Sequence, residues 1–165
     1  VYWLAGMVEG GADPKFSARR MLMSSSEDIR WAKRNALRLA NACFDAIHKI
    51  GWPGSRIILS ETAIYLASSP KSNSAYLAIE KASSAVRQTG NVSVTLHLRN
   101  APTQLMRDLD YGKDYKYAHD YRDNFVEQDY LPPEIKGKSR WEPQQDAAEN
   151  RLKEFLKSRW KNRFQ

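Results

Sequence analysis

The stretch that decides the fold is NALRLANACFDAIHKIGWPGSRIILSETAIYLA, Asn35 to Ala67. Its first half places Leu37, Ala40, Phe44, Ile47 and Ile50 at spacings of three and four, one apolar stripe along an amphipathic helix. Gly51 is placed to end that helix, and Pro53 to begin the next. From Ile57 to Ala67 the chain is apolar nearly all round (Ile57, Ile58, Leu59, Ala63, Ile64, Leu66, Ala67), which predicts the central, most buried helix.

The same grammar extends outward. Upstream, Asp13-Pro14 is an N-cap followed by proline at the first helical position. The helix it opens carries Phe16, Ala18, Met21 and Leu22. Ser24 to Ser26 should interrupt it, and Ser26-Glu27-Asp28 should put acids into a new first turn, where they favour the helix dipole. Downstream, Ser69-Pro70-Lys71-Ser72-Asn73-Ser74 reads as a turn. It leads into a helix with Tyr76, Ile79, Ala82 and Val86 that stops at Gly90. Val92 to Leu98 alternates apolar and polar residues, but no second strand is available to pair with it, so the segment is expected to be extended rather than sheet. Pro102-Thr103 opens a short helix carrying Leu105, Met106 and Leu109. Gln144 to Arg163 should be a terminal helix with Ala148, Leu152, Phe155, Leu156 and Trp160 on its apolar side. The opening VYWLAGMVEG looks like the middle or end of an amphipathic helix, as in a piece of a longer protein. The fold class expected is therefore all-α, with about seven helices.

Between the short helix and the terminal one lies a segment with neither helical nor strand period. There Tyr111, Tyr115, Tyr117, Tyr121 and Tyr130 alternate with charged residues, and Pro132-Pro133 ends the run. Long structureless loops are uncommon in compact domains and are usually functional or disordered. Disordered segments are poor in aromatic residues. This one is expected to be an ordered loop pinned by its own rings. Tyr111, Lys113, Tyr115, Lys116, Tyr117, His119 and Tyr121 form the candidate interaction loop. Interleaved tyrosines and bases could stack nucleic-acid bases. The local acids argue instead for packing on the domain or on a second subunit.

The chain has 165 residues, enough for one domain without disulfide support. Its single cysteine, Cys43, cannot form an internal disulfide and suits a reducing cytosol. No apolar run approaches the length of a membrane span, so no membrane partner is expected and the localisation read from the sequence is cytoplasmic. The net charge of +7 points to an acidic partner, nucleic acid being the commonest. Much of that charge is concentrated at the end of the chain. Arg151, Lys153, Lys157, Arg159, Lys161 and Arg163 face the single acid Glu154. Lys157, Arg159, Lys161 and Arg163 are the candidate DNA contacts, against the alternative of a solvated, fraying helix end.

Catalytic motifs are absent. Gly51-Trp52-Pro53-Gly54-Ser55 lacks the spacing and the lysine of a phosphate-binding loop, so the chain should not bind ATP in that manner. The three histidines, one cysteine and scattered carboxylates form no metal-spaced cluster. No catalytic, cofactor or metal residue is assigned. His48 reads as half-exposed, His97 as a hydrogen-bonded histidine, Cys43 as a buried inert thiol, and the five tryptophans as core by default. A tyrosine nucleophile near His119 would need arginines gathered around a phosphodiester, and the sequence gives no sign of them.

Several strings together resemble one family: YWLAGMVEGGADPKFSARRM (Tyr2 to Met21), SSEDI (Ser25 to Ile29), AIYLASSPKSNSAY (Ala63 to Tyr76), LHLRNAPTQLMRDLDYGKDYKYAHDY (Leu96 to Tyr121) and FVEQDYLPPEIKG (Phe125 to Gly137). They look like the C-terminal domain of the replication-associated recombination protein A family (RarA/MgsA), AAA+ ATPases related to clamp loaders and to the Werner helicase-interacting protein. The likeness covers nearly the whole chain and weakens from Trp141 onward. Ser24-Ser25 and Arg30-Trp31-Ala32-Lys33 are more polar and basic than the family pattern.

The resemblance implies a helical domain similar to a clamp-loader collar, which assembles subunits into homotetramers. It also implies a parent acting at stalled replication forks and in recombination and repair, with DNA ends or forks and single-stranded-DNA-binding protein as partners and a nucleoid-associated location. The ATPase module, with its ATP and Mg, would lie outside this chain, leaving the chain itself without enzymatic activity or cofactor. On this reading residues 1–143 form the helical oligomerisation domain, and residues 144–165 a basic C-terminal helix packed on it or extending from it. The function expected is oligomerisation and partner binding within a DNA-dependent AAA+ ATPase. The rival is a stand-alone single-stranded nucleic-acid-binding module.

Overall fold

Alanine-rich helix faces place the core. The computed structural model describes residues 1–137 and 139–161. Among the described residues there are seven α-helices and no strand: α1 (Tyr2–Glu9), α2 (Pro14–Ser24), α3 (Ala36–Ile50), α4 (Arg56–Ala67), α5 (Ser74–Thr89), α6 (Gln104–Asp108) and α7 (Ala147–Trp160). Short 3-10 turns at Leu96–Leu98, Ala118–Asp120, Arg122–Asn124 and Pro133–Ile135 punctuate the rest. The all-α expectation holds, and Val92 to Leu98 joins no sheet.

The chain divides into two compact units. The first comprises Val1–Ile79 and Trp141–Arg151; the second comprises Glu80–Arg140 and the chain from Leu152 on.

In the first unit α2, α3 and α4 pack together around Ala18, Cys43, Ile47 and Leu59, with Leu4, Met21, Phe44 and Ile58 against them. A second cluster joins Ile29, Ala36 and Leu66. Ala18, Ala36 and Ala40 are fully buried; small side chains let neighbouring helix backbones approach closely, as dense packing requires. The buried line of α3 runs through Ala36, Ala40, Cys43 and Ile47. It shares Ala40 and Ile47 with the expected stripe and departs from it elsewhere: Leu37 and Phe44 are half-buried and Ile50 is exposed.

The caps explain where helices start. The Asp13 carboxylate accepts from the Lys15 amide at 2.9 Å, and Pro14 occupies the first helical position. Gly51, at φ +73°, ends α3 in a left-handed conformation that glycine adopts without steric cost. Three expectations fail here. No new α-helix begins at Ser26: α2 runs directly into a π-helical turn, Ser25–Ile29, and the Asp28 carboxylate accepts from the Ser24 hydroxyl at 2.7 Å. Pro53 does not start α4, which begins at Arg56. Nor is α4 the most buried helix. It buries Leu59, Thr62 and Leu66 but leaves Ile57 68% and Ile64 56% exposed.

The second unit is wired differently. Among the described residues it buries no apolar side chain; its one buried residue is Gln128. Polar links take over. The Gly112 amide donates to the Leu96 carbonyl at 2.9 Å. Gly112 sits at φ +73°, and a Cβ there would lie 3.3 Å from the Arg99 carbonyl oxygen, so only glycine fits without strain. The Arg99 guanidinium donates from Nε to the Val94 carbonyl at 2.7 Å and from Nη1 to the Tyr111 hydroxyl at 3.1 Å. His97 Nε2 donates to the Asp129 carbonyl at 2.8 Å, the hydrogen-bonded role expected of it.

Candidate interaction surfaces

The rings of the tyrosine loop hold it only in part. Tyr115, Tyr117, Tyr121 and Tyr130 are exposed, though Tyr117 and Tyr130 each meet another ring, and Tyr111 is held by Arg99 on both its ring and its hydroxyl. Gln128 adds a polar clamp. Its buried carboxamide accepts from the Lys116 amide at 2.9 Å and donates to the Lys116 carbonyl at 3.4 Å. A side chain thus plays the part of a paired strand for one residue. The sequence offered no signal for this, because an isolated glutamine in a polar stretch reads as solvated.

Around that clamp, Lys113 pairs with Asp110 at 2.9 Å, and the carboxylate raises the lysine's pKa through a hydrogen bond and its charge. Tyr117 and His119 lie ring to ring, 5.0 Å between centroids. No set of arginines surrounds them among the described residues. Arg122 lies 4.0 Å from Asp123, and Arg99 is held by Val94 and Tyr111. The requirement of a tyrosine nucleophile for clustered guanidinium groups is unmet.

The candidate DNA contacts on α7 have neighbours of their own. The Arg159 guanidinium lies 5.1 Å from the Phe125 ring centre and 5.0 Å from that of Phe155. Lys161 pairs with Glu127 at 3.2 Å. Lys157 is half-buried. Arg163 lies outside the described residues. Next to these bases, Trp160 meets Phe125 edge to face at 5.0 Å and Tyr130 at 6.1 Å. This end of α7 is an aromatic and cationic cluster within its own unit.

The sequence reading missed a buried carboxylate. Glu149 is 0% exposed. One oxygen accepts from the hydroxyls of Ser72 and Ser74, the latter at 2.9 Å; the other accepts from the Gln144 amide at 2.7 Å. Trp141 Nε1 donates to Ser74 at 3.1 Å. The Asp146 carboxylate caps α7, accepting from the amides of Ala148 and Glu149 at 2.8 and 3.0 Å. The signal was present as Asp146-Ala147-Ala148-Glu149, an acid three residues after an N-cap. Placing the helix start at Gln144 hid it.

Cys43 is buried, as expected, and burial chiefly pushes its thiol above the ordinary range. His48 is exposed and bonds the Phe44 carbonyl at 3.0 Å. The tryptophans depart from their default: among the described residues none is buried, and Trp3 is 81% exposed.

An apolar concavity of the first unit lies where α1 meets the start of α4. Val1, Leu4, Ala5, Val8, Trp52, Pro53, Ile57 and Ile64 line an open groove of about 680 Å³ rimmed by Glu9, Arg56 and Glu61. On α5, Tyr76, Ile79 and Val86 are likewise exposed. Of these, Ile57, Ile64 and Trp52 were expected in the core.

The fold and surfaces define a helical domain without a nucleotide-binding loop, presenting apolar faces outward. A family model described as the MgsA AAA+ ATPase C terminal matches residues 1–160, and the chain belongs to that family. In it the AAA+ ATPase module lies N-terminal to this domain, outside the present chain. Replication-associated recombination protein A of Coxiella burnetii is 42% identical over 157 residues, which is 94% of this chain and 36% of that protein. The protein of the same name from Escherichia coli K12 is 36% identical over 94% of this chain and 35% of its own length. The ATPase WRNIP1 of Dictyostelium discoideum is 39% identical over 86% of this chain and 16% of its own. The chain thus spans about a third of the length of its bacterial relatives or less. Among the described residues no helix is long and apolar enough to cross a membrane.

Proposed function

We propose that this domain assembles the subunits of its parent protein, most simply as a homotetramer, and docks partners for a DNA-dependent AAA+ ATPase. The observation that carries the reading is the outward apolar surface of α1 and α4. Ile57, Ile64 and Trp52 face solvent around one groove, a cost a monomer would avoid by placing polar residues there. A closed homo-oligomer covers the same patch on every subunit. The family likeness suggests the stoichiometry and the setting: stalled forks and recombination-linked repair in the bacterial cytoplasm, near the nucleoid. DNA ends and single-stranded-DNA-binding protein would be the parent's partners. ATP and Mg would belong to the ATPase module and not to this chain.

The test is a comparison by light scattering. The wild-type chain should be an oligomer, and Ile57→Asp/Ile64→Asp a monomer with unchanged helical signal. Exposed positions tolerate such changes within about 0.5 kcal/mol of stability. An oligomer that survives both charges would move the interface elsewhere.

A further inference from the structure

The turn from Ile29 to Ala36 is fastened at both ends and charged in the middle. Ile29 and Ala36 are fully buried. The Arg30 amide donates to the Ser25 carbonyl at 3.0 Å, the Ala32 amide to Ile29 at 2.8 Å, and the Ala36 amide to Lys33 at 3.0 Å. Between these anchors and the first turn of α3 the chain carries Arg30, Lys33, Arg34 and Arg38 and no acid. Lys33, Arg34 and Arg38 are exposed, and none of them makes an ion pair among the described residues. This separates them from Lys113, Lys136 and Lys161, each of which has a carboxylate within 3.2 Å. Two cations of the turn lie against rings: Arg30 is 5.5 Å from Trp31, and Lys33 is 5.6 Å from Tyr65. Ring contacts orient a cation without neutralising it. The nearest acids in sequence lie outside the turn: Asp28 accepts from the Ser24 hydroxyl, Glu27 is exposed beside it, and Asp45 accepts from the Asn41 carboxamide at 3.2 Å.

We propose that this turn is a nucleic-acid contact in which Lys33, Arg34 and Arg38 bind backbone phosphates. Anchoring fixes the backbone that carries the cations, so only side-chain freedom is lost on binding. Arginine's planar fork pairs with phosphate through two hydrogen bonds. Arg38 also borders an open, mostly apolar concavity with Leu22, Met23, Leu37 and Ala42. What favours a phosphate backbone is the run of Arg30, Lys33, Arg34 and Arg38 without an acid among them, since successive phosphates present closely spaced negative charges. The contact would be independent of sequence, since phosphates carry none. The inference does not depend on assembly, because a monomer could present the same turn.

Fluorescence anisotropy of the whole chain with a labelled single strand and with its duplex, across a KCl series, tests it. Each phosphate contact carries roughly 0.7 of log–log slope on single strands and 0.9 on duplex. Lys33→Gln/Arg34→Gln/Arg38→Gln should flatten the slope by about 2 or more. Lys136→Gln, at a lysine already paired with Asp129 at 2.7 Å, should leave it nearly unchanged. If the triple variant loses helical signal by circular dichroism, the three single substitutions, each expected to remove about one contact's slope, take its place. Three outcomes would overturn the proposal. One is no binding by the wild type at low salt. Another is a slope that survives unchanged in the turn variant. The third is polyglutamate binding as tightly as DNA at matched charge.

Discussion

Glu149 shows how much a single side chain can hold. Its carboxylate sits in the first turn of α7, where a negative charge meets the positive end of the helix. It is saturated by two serine hydroxyls and one amide. Hydrogen bonds to a buried charge are worth about 1.5–3 kcal/mol each, and an unmatched donor there costs a similar amount. Glu149→Gln removes the charge and replaces one acceptor oxygen with an NH2 group, which the serine hydroxyls can meet only by reorienting. The variant should lose about 2–3 kcal/mol in urea unfolding at neutral pH, or roughly 5–10 °C in Tm. An unchanged midpoint would mean that the node contributes nothing net. Neither serine advertised this role, because Ser72 and Ser74 read as ordinary turn residues. Partners separated by 75 residues and more cannot be paired from spacing alone.

At the scale of elements, helix positions were legible and helix faces were less so. Periodicity located α3, α4, α5 and α7, and Asp13-Pro14 marked the start of α2, because these signals are local. Which apolar side points inward depends on neighbours. On α3 Ala40 and Ile47 face inward as the pattern has them, but Ala36 and Cys43 complete the buried line in place of Leu37, Phe44 and Ile50. On α4 and α5 the apolar excess faces outward, since α4 has one packed side and the groove occupies another. The tyrosine loop was legible as ordered, but its fastening by Gln128 was not. That clamp gives a proteolysis pattern. Arg122 has a side chain 96% exposed and precedes Asp123 and Asn124, both at positive φ. Lys116 has its amide and carbonyl held. Trypsin acting on the native protein should cut after Arg122 well before Lys116, as local opening follows backbone protection. Equal rates, read by mass spectrometry of early fragments, would show that the clamp opens freely in solution.

For the whole molecule, the central claim is that this is a helical assembly domain without a nucleotide site. The sequence lacks a phosphate-binding loop, so calorimetry with ATP and Mg should give no binding heat at micromolar concentrations. Measurable affinity would locate a nucleotide site that the sequence does not reveal. The most direct measurement is sedimentation equilibrium of the unaltered chain over a concentration series. The account predicts a species near four times the 19.0 kDa chain mass, dissociating only on dilution. A single 19.0 kDa species at the highest concentration reached would contradict it.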